Sequence, residues 1–280
     1  MSWALVSFPL VVVVLLAGCA PAGPEKARVI GEAYVAPETL ELRREIPLNS
    51  GTVATVKRGE RVEILQRRRR FARVRTKAQQ EGWTEQSKLL APEVYGQIGE
   101  TAKQAAAMPS LGVYRARDML NVHVEPQRSS PTIYQLKEEE TVDLLSRRVV
   151  ERTAGAPAGP PSKEKGRQYD DWCLVRTTTG SAGWVLARVI DAGIPDEVAQ
   201  YAEGRRITSY FALGEVTDGA QVKKIWLWTT IERGLEPHDF DSFRVFNWGR
   251  RRHRYETAAI ERNLKGFFPV KVEPKVETRF

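Results

Sequence analysis

A chain of 280 residues can form two or three compact domains. Its 43 Lys and Arg against 35 Asp and Glu give a formal net charge of +8 and a pI near 9.5, a balance that suits anionic partners. Only two cysteines, Cys19 and Cys173, are present, which excludes a multi-bridge disulfide framework.

Residues 1–18 hold no charged side chain, and Leu10 to Ala17 is continuously apolar up to Gly18 and Cys19. That pattern is a secretory h-region. A spanning helix needs roughly 20 apolar residues; this run is shorter, and Pro9 interrupts it. Leu16-Ala17-Gly18-Cys19 resembles the lipobox of bacterial lipoproteins, in which small residues precede a cysteine that is acylated on sulfur, exposed by cleavage and acylated again on its new amine. The resemblance implies a signal peptide over 1–18, a tether over 19–31, lipid attachment at Cys19, export, and anchoring to a bacterial membrane. Ala20, rather than Asp, after the cysteine implies the outer membrane in a diderm host. No Lys or Arg precedes the h-region, a departure from the family pattern. Each buried methylene contributes about 0.8 kcal/mol, so two or three acyl chains hold durably where one does not. With Cys19 acylated, Cys173 is expected to be a buried, unpaired thiol. Nucleic acid is the usual first reading of a basic chain. Export argues against it and turns the expectation to envelope polyanions or anionic headgroups.

The chain repeats itself. Leu42 to Leu65 aligns without a gap on Val122 to Leu145, 80 residues later, with Val53 on Ile133, Val56 on Leu136, Lys57 on Lys137, Val62 on Val142 and Ile64 on Leu144. Tyr34 and Leu40 fall on Tyr114 and Leu120 at the same spacing. Beyond them the spacing becomes 101, where Phe71-Ala72-Arg73-Val74-Arg75-Thr76 meets Trp172-Cys173-Leu174-Val175-Arg176-Thr177 and Gly82-Trp83 meets Gly183-Trp184. The second copy therefore carries a 21-residue insertion, at about 151–169, whose Gly/Pro-rich content cannot form a ladder. Apolar and polar residues alternate in Arg61-Val62-Glu63-Ile64 and in Thr141-Val142-Asp143-Leu144, which predicts short strands with one buried face. Such strands must curl into a barrel or sandwich to bury it.

Leu120-Asn121-Val122-His123 resembles the opening of bacterial SH3 domains, Lys57-Arg58-Gly59-Glu60-Arg61-Val62 their Lys-x-Gly-x-x-Val hairpin, and Gly183-Trp184-Val185 their closing Gly-Trp-Val. In the first copy Glu41 replaces the Asn and Thr84 the final Val. The resemblance implies two tandem SH3-like small β-barrels, over 32–91 and 112–192, that bind cell-wall peptides or neighbouring domains. Residues 92–111 between them are Ala-rich and predict a short helical linker. Residues 204–273 predict a C-terminal antiparallel β domain of four or five strands, at 207–216, 222–231, 243–248 and 254–260, with a further strand-like run at 266–272. Thr217-Asp218-Gly219 and Trp248-Gly249-Arg250 supply its turns. Residues 196–202 predict two helical turns ahead of Gly204. The whole is expected to be all-β.

Candidate chemistry is sparse. Cys173 takes the strand position of Ala72 and reads as a small buried residue, since a reactive thiol needs an exposed, electropositive setting. His123 replaces Arg43 in the repeat, and His253 sits among arginines. His238, Asp239 and Asp241 form a donor cluster where metal ligation is conceivable but a polar loop is the simpler reading. No His-Glu-x-x-His, Gly-x-Ser-x-Gly, Walker loop or paired-Cys motif is present. No catalytic residue, metal or cofactor is expected. Arg67, Arg68, Arg69 and Arg70, and Arg250, Arg251 and Arg252, are expected on hairpin tips and are the candidate polyanion contacts. Tyr114, Trp172 and Trp184 are the candidate ligand groove, with Pro160-Pro161 of the insertion able to fold over it. The expected function is a non-enzymatic envelope lipoprotein whose SH3-type modules bind cell-wall peptide or glycan, or an envelope protein. Alternatives are an accessory cell-wall hydrolase or metal-dependent enzyme with its site around His238, Asp239 and Asp241, and anionic-lipid or polyanion binding through the arginine tips.

Overall fold

The computed structural model describes residues 27–47, 49–152, 169–232 and 235–273. The signal segment, Cys19 and residues 153–168 of the insertion, with Pro160 and Pro161, lie outside them. Strand makes up about 52% and helix 13%, which makes the protein all-β, with curled antiparallel sheets.

The first copy forms β1 (Gly31–Val35), β2 (Thr39–Arg43), β3 (Thr52–Lys57), β4 (Arg61–Arg68), β5 (Phe71–Arg75), β6 (Glu81–Glu85) and β7 (Leu89–Leu90), in the sheet order β3-β2-β6-β5-β4-β1-β7. The second forms β8 (Val113–Ala116), β9 (Leu120–His123), β10 (Thr132–Leu136), β11 (Thr141–Glu151), β12 (Tyr169–Thr177), β13 (Ala182–Leu186) and β14 (Ile190–Ala192), in the order β10-β9-β13-β12-β11-β8-β14. Strand for strand the two orders are the same, so the sequence repeat is a topological one.

Local details repeat as well. In the β4–β5 ladder the register slips between Ile64 and Gln66, and in β11–β12 between Leu144 and Ser146. Leu65 and Leu145 are the extra residues of these two bulges, and both are buried beside a buried neighbour. The bulge explains why adjacent apolar residues interrupt the alternation. The turns entering β4 and β11 match too: Glu60 accepts the Lys57 N–H at 2.9 Å and Glu140 the Lys137 N–H at 3.0 Å. The third turn position is left-handed in both, Gly59 at φ 76° and Glu139 at φ 61°. Glycine takes that conformation without steric cost and Glu does not. Glycine before the Trp is needed for another reason: a Cβ at Gly82 would lie 2.8 Å from Leu42 Cβ, and one at Gly183 2.6 Å from Val122 Cγ1.

Between the copies runs α1 (Pro92–Ala107), with Pro at its first turn and Glu93 beside it. Tyr95 stacks on Tyr34 of the first copy, ring centroids 4.1 Å apart. The far end packs on the second copy, where Ala105 and Met108 cover Leu145, Trp172, Leu174, Ala182 and Trp184. Arg176 finishes the helix by donating to the carbonyls of Ala105 (2.6 Å) and Met108 (3.2 Å), the first of which also accepts the Met108 N–H. Arg75, its counterpart, donates to the carbonyl of Ala27 at 3.2 Å.

The C-terminal region is a four-stranded meander of β15 (Arg206–Asp218), β16 (Gln221–Ile231), β17 (Ser242–Gly249) and β18 (Arg254–Glu261). Residues 196–199 form α2 (Asp196–Ala199), followed by a 3-10 turn over Gln200–Ala202. The strand-like run at 266–272 makes only a bridge from Gly266 to Phe240, because Asp239 takes the Phe268 N–H and Pro269 has none to give. Trp226, Trp228, Phe246, Trp248 and Tyr255 of the meander share one continuous core with Tyr114, Leu144, Val175 and Ile190 of the second copy. Tyr210 ties the two: its hydroxyl donates to the Val113 carbonyl (2.5 Å) and accepts the Val113 N–H (3.0 Å), and its own N–H donates to Leu111 O (2.8 Å).

At the base of the insertion the β11–β12 ladder runs out to Glu151 opposite Tyr169. There Asp170 accepts from Arg128 (2.7 and 2.8 Å) and Arg152 (2.7 Å). Burial alone would raise the pKa of Asp170, but the two guanidinium groups outweigh it and hold the carboxyl at about 2. A depressed carboxylate stabilises the fold above its ordinary pKa of 3.8, and that contribution fades as pH falls toward 2.

Two outcomes follow for stability. Asp170→Ala is expected to destabilise the fold by about 1–3 kcal/mol at neutral pH by removing the carboxylate that Arg128 and Arg152 share, and to flatten the acid limb of a pH-dependent melting curve between about pH 4 and pH 2. Glu139→Gly is expected to raise the unfolding free energy by about 0.5–1 kcal/mol in urea titrations, net of the exposed Arg115 pair it loses.

Candidate functional site

A concavity of about 480 Å³ opens where the second copy meets the C-terminal sheet. Its floor comes from β11 and β12 through Leu144, Arg147 and Cys173; one wall is β8 with Tyr114, Arg115 and Arg117. The segment from Ile190 to Ala202 supplies a second wall of small and branched apolar side chains, and Arg205, Arg206 and Thr208 close the third. A volume in the range of about 300–1,000 Å³ at a junction of two units is typical of small-ligand sites.

Five arginines and two aspartates line this cleft. Arg147 is almost wholly buried; its Nε donates to both Asp171 oxygens, at 2.9 and 3.0 Å, and its Nη1 to the His238 carbonyl at 2.7 Å. Arg206 reaches the same carboxylate through Nη2. Arg205 is spent on Asp241 and Thr230, and Arg117 on Asp191 at 2.9 and 2.5 Å. Arg115 pairs with Glu139, at 3.2 Å on the exposed rim. Asp196 lines the cleft with no ion-pair partner among the described residues. Cys173 and Tyr114 stay neutral: burial, with Asp171 adding, pushes the thiol up to about 12, and burial pushes the phenol well above its usual value.

The first copy holds a smaller version of the same hollow, about 210 Å³. Ile64, Arg67, Ala72, Gln86, Leu89 and Ala91 line it at the positions of Leu144, Arg147, Cys173, Ala187, Ile190 and Ala192. In both ladders the arginine faces the small residue directly, Arg67 opposite Ala72 and Arg147 opposite Cys173.

The proposed groove of Tyr114, Trp172 and Trp184 requires correction. Tyr114 lines the cleft, but successive residues of a strand face opposite ways. Trp172 and Trp184 therefore lie on the other face of the sheet, under α1, at 1% and 8% exposure. Arg148 covers the Trp184 ring at 5.0 Å and His123 abuts Trp172 edge-on at 5.4 Å. The counterparts Phe71 and Trp83 are half-buried and border a shallow hollow of about 50 Å³ with Arg43 and Lys88.

Arg67 to Arg70 do form the β4–β5 tip, with Arg69 left-handed at φ 53° and Arg70 over the Phe71 ring. Arg250, Arg251 and Arg252 occupy the β17–β18 turn, exposed, where Arg252 pairs with Glu256 and His253 with Asp218. The cluster at 238–241 is divided among structural tasks. Asp239 accepts the Phe268 N–H, Asp241 holds Arg205 and the Glu232 N–H, and the buried His238 Nε2 has no partner. Among the described residues no three His, Cys, Asp or Glu side chains come together as a metal site.

No protein-family model matches the chain, and no curated protein matches it. Solved structures described as NlpC2 and NlpC1 from Trichomonas vaginalis match at 9% identity each. They cover 85% and 86% of this chain and 99% and 95% of their own, with TM-scores of 0.20 and 0.21. At such TM-scores the match carries no argument about fold or function.

The thiol offers a direct check on the cleft floor. In a Cys19→Ser protein Cys173 is the only thiol. With its pKa near 12, the thiolate fraction at pH 8 is about one in ten thousand. Iodoacetamide is expected to leave Cys173 unlabelled by mass spectrometry under native conditions while labelling it fully in denaturant. Rapid native labelling at pH 8 would show the floor to be open and ionised instead.

Proposed function

We propose that this protein is a non-enzymatic, lipid-anchored component of a bacterial envelope, held through Cys19, whose SH3-type repeats bind cell-wall material or an envelope protein. The observation that carries this reading is the recurrence of one hollow, with one arginine facing one small residue, in two copies of a single strand order. A duplicated concavity suits recognition. Cys173 is buried and protonated, and Asp239 and Asp241 are engaged by the backbone and by Arg205, which supports the same reading. No helix among the described residues is long and apolar enough to cross a membrane, so anchoring in this reading rests on the acyl chains. The exposed Arg67 to Arg70 tip favours a second, electrostatic mode of contact with anionic headgroups or wall polymer.

Fractionation of bacteria expressing the full chain tests the anchor. Native protein is expected in the membrane fraction with an acylated Cys19 by mass spectrometry, and Cys19→Ser in the soluble fraction. Purified protein is expected to co-sediment with isolated cell wall. Gln at all four positions 67–70 is expected to weaken that retention several-fold at low salt and to have little effect at 0.5 M, because screening removes the exposed-charge component. An unmodified cysteine in cytosolic protein would overturn the reading.

A further inference from the structure

We propose that the arginine tip of the first repeat seats on anionic phospholipid headgroups of the leaflet that holds the anchor, so that this repeat lies against the bilayer. The inference rests on the lipid-anchored reading and names the partner of its electrostatic contact.

The tip is a fixed, uncompensated cation. Gln66 to Arg70 are exposed at the β4–β5 turn, and none of Arg67, Arg68, Arg69 and Arg70 has an ion-pair partner among the described residues. The acids that border them are engaged elsewhere. Glu32, which shares a hollow with Arg67, pairs with Arg61, and Glu85, opposite Phe71, accepts from Ser87 at 3.4 Å. Gln86 sets the turn from within the repeat: its Nε2 donates to the carbonyls of Arg69 (2.7 Å) and Phe71 (3.1 Å), and its N–H to that of Arg70 (2.8 Å). The loop is therefore shaped before any ligand arrives, and each guanidinium on it can grip a phosphate through two N–H groups.

The corresponding turns elsewhere carry acids. At the 101-residue spacing Asp170 and Asp171 stand where the first repeat has Arg69 and Arg70. At the β17–β18 turn Glu256 takes Arg252, and Asp218 takes His253. Uncompensated charge is thus concentrated on the repeat that follows Cys19 most closely.

Reach and chemistry favour a bilayer over a wall polymer. Ala27, the first described residue, lies against Arg75, whose Nη2 donates to its carbonyl at 3.2 Å. Arg75 and Phe71 are the two ends of β5, a separation of about 13 Å. Cys19 precedes Ala27 by eight residues, which span at most about 29 Å. An anchor at Cys19 therefore leaves the tip within reach of the headgroups around it. Val29 and Ile30, 41% and 55% exposed, precede β1, whose first residue pairs with Ile64, three residues before Arg67. Exposed apolar side chains close to basic ones suit the headgroup boundary, where acyl chains take the former and phosphates the latter. A hydrated wall polymer offers a place for the charges alone.

Sedimentation of the full-length Cys19→Ser protein with vesicles tests the tip without the acyl chains. The vesicles are phosphatidylcholine alone and phosphatidylcholine with about 30 mol% phosphatidylglycerol. The apolar leader contributes equally to both compositions, so their ratio isolates the charge component. Each arginine near an anionic surface is worth about five-fold in partitioning. The anionic vesicles are expected to hold the protein at least ten-fold more tightly at about 0.1 M salt, and within two-fold at about 1 M. Gln at all four positions 67–70 is expected to abolish that preference with an unchanged melting temperature, and Lys at the same positions to keep it within three-fold of native. If the four-fold Gln variant unfolds, Arg68→Gln with Arg69→Gln replaces it, with an expected loss of at least five-fold. Gln at 250–252, on the other arginine turn, is expected to stay within three-fold of native. Equal binding to both vesicles, a preference that survives Gln at 67–70, or an equal loss from Gln at 250–252 would overturn the inference. So would a tip variant that loses wall retention yet keeps native vesicle binding, which would assign the tip to wall polymer. An unmodified Cys19 in cytosolic protein strikes the envelope reading instead, and leaves the vesicle ratio, read without acyl chains, unaffected.

Discussion

The central strand β12 is apolar on both faces, and the organisation around it follows from the need to cover each. Trp172, Cys173, Leu174 and Val175 are all buried, whereas in β5 the aligned Phe71, Ala72, Arg73 and Val74 alternate between half-buried or exposed and buried. A sheet buried on both sides needs a layer on each. One side takes the end of α1, and the other takes the core that the C-terminal sheet enters. Where the second copy has Leu174, Ala182 and Leu186 under or beside the helix, the first has Arg73, Glu81 and Glu85, with Arg73 and Glu81 ion-paired at 3.0 Å. The helix accordingly docks on the second copy and touches the first only through Tyr95 and its neighbours.

Much of the architecture was legible in the sequence because a repeat is self-checking. A spacing held at 80 through one block and at 101 through the next required equivalent strands, and the strand orders agree. Lys57-Arg58-Gly59-Glu60 and Gly82-Trp83 mark positions where backbone geometry narrows the choice: a left-handed turn in the first case and strand contact in the second. The four strands of the C-terminal region were visible from their β-branched and aromatic runs. Packing of that region was not. Alternation tells which residues share a face, but it does not tell what covers the face, so the shared core with Tyr210 as its tie had no local signal.

The same limit explains the groove. Aromatics recur at the positions of Trp172 and Trp184, yet recurrence cannot separate a residue exposed in both copies from one exposed in neither. A comparison of their neighbours could have done so. Arg73, Glu81 and Glu85 against Leu174, Ala182 and Leu186 indicate that the first copy's aromatic face is wet and the second's is covered. The cleft had no such signal, since Tyr114, Arg147, Cys173, Asp196 and Arg206 come from separate segments that only the tertiary fold brings together.

Arginine at one position in both hollows has two different fates, and the difference lies in its partners. Arg67 sits on an exposed tip opposite Ala72, with no ion-pair partner among the described residues. Arg147 faces Cys173 and is buried, which is tolerable only because Asp171 and two backbone carbonyls satisfy it. Asp171 lies next to the inserted segment's base, where Asp170 holds Arg128 and Arg152, so two consecutive aspartates anchor four arginines on opposite faces of one strand. At the 101-residue spacing the first copy has Arg69 and Arg70, at the β4–β5 turn, in the place of this pair. Extending the β11–β12 ladder thus supplied the acids that allow a cation to be buried beneath the cleft and a second one, Arg206, to be held at its edge.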